Sequence, residues 1–195
     1  MNLPRLLILT DRHQTTRPLV DVVRAAVDGG ARAVVLREKD LPRPERARLA
    51  DQLRPILADA GAVLVVASDP TIPADGVHLA AREPVPAARP ALVGRSCHDP
   101  AGLRAAADEG CDWATLSPIF PSPSKPGYGP VLGRAALAGA PLPVYALGGV
   151  DVGRAAACIV AGAAGVAVMG AVMRAADPAA VVATLLRALD SEAGR

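Results

Sequence analysis

Short apolar runs alternate with longer stretches of helical periodicity along the whole chain. The runs fall at Arg5–Thr10, Ala33–Leu36, Ala62–Val66, Val77–Leu79, Leu92–Gly94, Ala114–Leu116, Pro143–Leu147 and Val166–Met169. Each is too short for a helix and carries apolar residues at consecutive positions, which predicts strands buried on both faces, as in a parallel sheet. Between them, apolar residues recur at helical spacing over Leu19–Val27, Arg43–Ala60, Pro100–Asp108, Val152–Ala161 and Pro178–Leu189. Gly29-Gly30 and Gly61 close the first two helices, and Asp177 is placed to cap the last. The segment from Asp69 to Asp75 leaves little room for a helix.

Eight such units predict a compact, single-domain (β/α)8 TIM barrel over residues 1–195. The chain is short against the ~250 residues typical of that fold, so its connections must be tight. A doubly wound open sheet also alternates strand and helix, but no G-x-G-x-x-G follows the first strand.

Composition narrows the function classes. Half of the residues are apolar but only 2% are aromatic, so the core rests on Ala, Val, Leu and Ile. A net charge of +2, with arginines spread along the chain and few rings to stack on bases, gives no support to nucleic-acid binding. Cys97, Cys111 and Cys158 are odd in number and widely spaced, which points to a reducing compartment and away from a zinc site. No apolar run approaches the ~20 residues of a membrane helix, and the first residues do not form a signal peptide. The expectation is a soluble, cytoplasmic protein without a membrane partner; homo-oligomerisation stays open.

In a barrel, chemistry gathers at the C-terminal ends of the strands. The polar residues there are Asp11 and Arg12; Arg37, Glu38 and Lys39; Ser68 and Asp69; His78; Arg95, Ser96 and His98; then Ser117 and Lys125. After the sixth run the chain breaks into SPIFPSPSKPGYGP (117–130), whose prolines and glycines exclude a helix and put Lys125 on a loop. A lysine flanked by Ser122 and Ser124 suits an anion such as phosphate, although a solvated lysine on a surface loop accounts for the same stretch. Gly148-Gly149 and Met169-Gly170 follow strands seven and eight, where barrels often bind phosphate through backbone amides. Arg37 and Lys39, two residues apart at a strand end, are expected on one side, where they could clamp a polyphosphate with Lys125. A solvated rim paired with Glu38 is the alternative. Asp69 and Glu83 are candidate metal ligands, or ordinary surface acids. His78 follows Gly76-Val77 in an apolar setting and reads as a core histidine. His98 is either a group at the site mouth or a loop histidine.

LTDR (9–12), LREK (36–39), DGVHL (75–79), GRSCH (94–98), SPIFPSPSK (117–125), YALGGV (145–150) and GVAVMGAV (165–172) occur in this order along nearly the whole chain. As an ordered set they resemble the family that holds thiamine phosphate synthase and its sister, the thiazole tautomerase. The resemblance implies a (β/α)8 barrel and a transferase that joins hydroxymethylpyrimidine pyrophosphate to thiazole phosphate, releasing pyrophosphate in thiamine biosynthesis. It places pyrophosphate contacts on Arg37, Lys39, Ser96 and Lys125, with Ser122 and Ser124 where threonines are usual. It sets the thiazole phosphate on the amides of Gly148, Gly149, Met169 and Gly170. It also implies Mg2+, with Asp69 and Glu83 at the metal positions. The chain departs from the synthase pattern at Val35, where a glutamine reads the pyrimidine, and at Ser68-Asp69-Pro70, where Asn-Asp-Arg is usual. The tautomerase's catalytic histidine falls on Pro118. A tautomerase, with His98 or another group moving the proton, and a non-catalytic barrel that binds a phosphorylated ligand are the alternatives.

Overall fold

Strands with no polar face must be covered on both sides, and the chain satisfies this by closing its sheet into a cylinder. The computed structural model describes residues 3–122 and 129–191. Its strands are β1 (Leu6–Leu9), β2 (Ala33–Leu36), β3 (Val63–Ala67), β4 (Gly76–Leu79), β5 (Leu92–Cys97), β6 (Trp113–Leu116), β7 (Val144–Ala146) and β8 (Gly165–Val168). They pair in sequence order, all parallel, and β8 returns to β1 with Leu6 opposite Val166 and Ile8 opposite Val168. The predicted barrel is therefore the observed fold.

The helices are α1 (Leu19–Asp28), α2 (Arg43–Asp59), α3 (Pro100–Asp108), α4 (Val152–Val160), α5 (Gly170–Met173) and α6 (Pro178–Asp190). Asp99, Asp151 and Asp177 cap α3, α4 and α6 by accepting from the amides of Gly102, Arg154 and Ala180, each contact contributing roughly 1 kcal/mol. The short segment between β3 and β4 carries no helix. There the Asp75 carboxylate accepts from the Leu64 amide at 2.8 Å and ties the turn to β3. No helix among the described residues is long and apolar enough to cross a membrane.

Alternation along each strand divides the core into two layers. Outward residues such as Ile8, Val34, Leu36, Leu64 and Val66 pack with Val23, Leu53, Leu57, Leu185 and Leu189 of the helices. Inward residues, Leu7, Leu9, Val35, Val65, Ala67, Trp113, Tyr145 and Ala167, fill the cylinder. Its bulkiest member, Trp113, stacks on His78 with ring centroids 4.7 Å apart and meets the edge of Tyr145 at 5.6 Å. Gly94 lies opposite Trp113 in the β5–β6 register. A Cβ on Gly94 would fall 2.2 Å from the indole, so glycine there makes room for the ring.

Gly94→Ala is accordingly expected to overpack the cylinder and lower stability by about 1–3 kcal/mol, read as an earlier midpoint in urea unfolding. An unchanged midpoint would mean that the interior repacks freely around the indole.

Candidate functional site

The inward positions continue past the strand ends and build the site. One step above Val35, Ser96, Thr115, Tyr145 and Ala167 in the two-residue repeat stand Arg37, His98, Ser117, Leu147 and Met169. All five line one cavity of about 500 Å³ at the C-terminal mouth of the barrel. Its walls also include Pro118, Pro121, Ser122, Gly148, Gly149, Asp151, Arg154, Gly170 and Arg174.

The β7–α4 turn depends on its glycines. Gly148 and Gly149 have φ of +90° and +65°, in the left-handed region that side chains rarely adopt. A Cβ on Gly149 would also lie 2.3 Å from the Pro121 carbonyl oxygen. The turn thus packs directly under the Pro118–Pro121 segment. Among the described residues, no acceptor is found for the amides of Gly148 and Gly149. Unspent backbone donors of this kind are what an anionic oxygen requires.

Charge at the mouth is strongly one-sided, although the whole chain is almost balanced. Arg37, Arg154 and Arg174 reach the cavity, and among the described residues Asp151 is the one carboxylate in its lining. Arg37 is fixed through its backbone, whose amide donates to Thr10 Oγ1 at 2.9 Å. Arg154 donates to the Gly149 carbonyl at 2.7 Å and lies over the Phe120 ring. Arg174 donates to Gln14 Oε1 and covers Gly170. Beside the cavity, the buried Glu38 carboxylate accepts from the Arg12 amide and guanidinium, while Arg12 also forms a two-pronged pair with Asp40. The Arg12 and His13 hydrogen bonds hold the Asp40 carboxyl well below the usual carboxylate range. The β1 and β2 loops are thereby locked together next to Arg37.

Below the cavity, His78 Nε2 lies 3.0 Å from Ser96 Oγ and 3.4 Å from Thr115 Oγ1. Burial, with the nearby charges of Lys39, Arg37 and Arg95 adding to it, pushes the imidazole down to about 3. The ring is a neutral core histidine, as the sequence suggests.

The predicted site residues divide accordingly. Arg37, His98, Ser122, Gly148, Gly149, Met169 and Gly170 meet around the cavity. Ser124 and Lys125 lie outside the described residues. Ser96 sits beneath the cavity in contact with His78. Lys39 follows the end of β2 at Leu36 and stands exposed in a turn; it is not among the residues lining the cavity, but its charge, like that of Arg37, bears on the His78 imidazole below. The expected metal pair is not assembled either. Asp69 Oδ1 accepts from the Thr71 amide and hydroxyl, while Oδ2 pairs with Arg46 at 3.1 Å. Burial raises the Asp69 carboxyl, but the Thr71 hydrogen bonds and the charges of Arg46 and Arg43 outweigh this and leave it below its ordinary value. Glu83 folds back to accept from the Ala80 amide at 2.7 Å. Among the described residues no group of three or more His, Cys, Asp or Glu could hold a metal ion. With its oxygens committed and two guanidinium groups against it, Asp69 does not fit a magnesium ligand here.

Two cavity cations went unread in the sequence, Arg154 and Arg174. Both lie within about one helical turn of a glycine turn, spacing that brings a long side chain back over the strand end. That signal was present at Gly149 and Gly170.

A closed (β/α)8 barrel with amides and guanidinium groups converging on its mouth belongs to the class of barrels built to receive anionic small molecules. More narrowly, the family model described as thiamine monophosphate synthase matches residues 6–172, and the chain belongs to that family. A putative thiamine-phosphate synthase of Geobacter sulfurreducens is 40% identical over 190 residues, covering 89% of this chain and 88% of its relative. The thiamine-phosphate synthase of Anaeromyxobacter dehalogenans is 43% identical over 188 residues, covering 88% and 82%. Among solved structures, a thiamine phosphate pyrophosphorylase from Pyrococcus furiosus superposes with a TM-score of 0.84 at 27% identity, covering 96% of both chains.

The low pKa of His78 carries a sign. An unfolded histidine titrates near 6.5, so between there and about 3 the unfolded chain holds a proton that the folded one refuses. Stability from this group is complete above pH 6.5 and is lost progressively as pH falls towards 3. His78→Gln should flatten the acid limb of the stability–pH curve. An acid limb as steep as that of the parent protein would contradict the neutral assignment.

Proposed function

We propose that the chain is a thiamine-phosphate synthase, a transferase that couples hydroxymethylpyrimidine pyrophosphate to thiazole phosphate. One observation carries this reading: a single cavity joins the cationic end of β2 to the amide-rich turns after β7 and β8. Two anionic groups, a pyrophosphate and a phosphate monoester, can then be held on opposite sides of one space.

In the coupling, the C–O bond between the pyrimidine methylene and pyrophosphate breaks, and pyrophosphate departs with the electron pair. The thiazole nitrogen donates its lone pair to the exposed carbon, so the new C–N bond carries the positive charge of the thiazolium. No proton has to be moved by the protein. Its contribution is stabilisation of the leaving charge and alignment of the two partners. In this reading Arg37 stabilises the leaving group, and the sequence offers Ser124 and Lys125 for the same task. The backbone of Gly148, Gly149, Met169 and Gly170, which line the same cavity, takes the thiazole phosphate in this reading. Val35, beneath Arg37, is fully buried in the cylinder and supplies no amide for the pyrimidine to hydrogen-bond.

The test is a coupling assay with both substrates, following thiamine phosphate by chromatography. The protein should form product, and Arg37→Ala should lower kcat on the order of 10²-fold without loss of fold. Absence of product from the parent protein, under conditions in which thiazole phosphate binds, would overturn the synthase reading.

A further inference from the structure

Gly170 and Arg174 form a matched pair at the mouth. A Cβ built on Gly170 would lie 2.2 Å from Arg174 Nη1 and 2.6 Å from its Cζ, so the guanidinium occupies the space a side chain at 170 would need. From the far side Gln14 Oε1, in the β1 loop, accepts from Nη1 of Arg174. Gln14 is itself braced, since its amide nitrogen donates to Asp11 Oδ2 at 2.7 Å. The arginine is thus seated from two directions and lines the same cavity as Gly148, Gly149 and Met169. Of the three guanidinium groups there, Arg154 is engaged with the Gly149 carbonyl and with Asp151, and Arg37 rises from β2. Arg174 is the cation that stands directly on the Gly170 backbone.

We infer that Arg174, seated in the slot left by Gly170 and braced by Gln14, binds the phosphate monoester of the thiazole substrate and selects it over the unphosphorylated alcohol. The identity of that substrate rests on the synthase reading. A phosphate dianion on backbone amides alone meets only partial charges, whereas a guanidinium adds a full charge and paired N–H donors.

The experiment measures thiazole phosphate and thiazole alcohol in parallel, by calorimetric binding and by KM in the coupling assay. Arg174→Met should weaken thiazole phosphate binding and raise its KM by roughly 10-fold or more, leaving kcat at saturation and the KM of the pyrimidine substrate near the parent values. The alcohol should show no difference between the two proteins. Arg174→Lys should recover part of the loss. Equal losses for phosphate and alcohol, or unchanged thiazole phosphate affinity in Arg174→Met, would overturn the assignment. Binding is read without turnover, so Arg174-dependent binding in a protein that forms no product would sink the synthase reading while upholding the phosphate contact.

Discussion

The seating of the Trp113 indole inside the cylinder is the contact on which the rest of the structure depends. A chain with one tryptophan and almost no other rings must fill a barrel interior with small aliphatic residues, and those alone leave it underpacked. Trp113 fills the middle by lying against Gly94 on one side and on the His78 ring on the other. That stack fixes the relative heights of β4, β5 and β6. It also explains why His78 is neutral and why Ser96 is drawn downwards towards it. Everything at the mouth stands one step above this layer, so the position of His98 and Ser117 is set by packing beneath them.

Function is then a matter of placing charge on a rigid rim. The chain as a whole is nearly neutral, yet its arginines converge on one cavity because long side chains from α4 and α5 return over the strand ends. Acidic residues near the rim are spent internally. Glu38 and Asp40 hold Arg12, Asp151 caps α4, and Asp69 holds Arg46. Each of these carboxylates fixes a loop or helix that carries a cation or an amide donor. For a reaction whose difficulty is a departing pyrophosphate, such preorganised positive charge is the main instrument available to a protein.

The barrel was legible because its strands carry no polar face, a pattern that few folds other than a doubly covered parallel sheet can use. Strand β5 was read too short because Arg95 interrupts its apolar run. The side chain of Arg95 points away from the cylinder to pair with Glu109 and to donate to the Glu83 carbonyl, a tertiary arrangement no local pattern reveals. Helix α5, only four residues long, lacks a full period to detect. Within the site, the glycine turns were legible because their chemistry is local. The partners of Asp69 were not, since Arg43 and Arg46 come from a helix more than twenty residues earlier.

Coupling of two phosphorylated substrates requires the one cavity to hold two anions at once, on separate sides. This requirement is tested most directly by titrating inorganic pyrophosphate into the protein by calorimetry, alone and after saturation with thiazole phosphate. Both ligands are expected to occupy the same molecule together, with Arg37→Ala weakening pyrophosphate while leaving thiazole phosphate bound. Mutual displacement of the two ligands, or loss of both in that variant, would show a single anion site and contradict it.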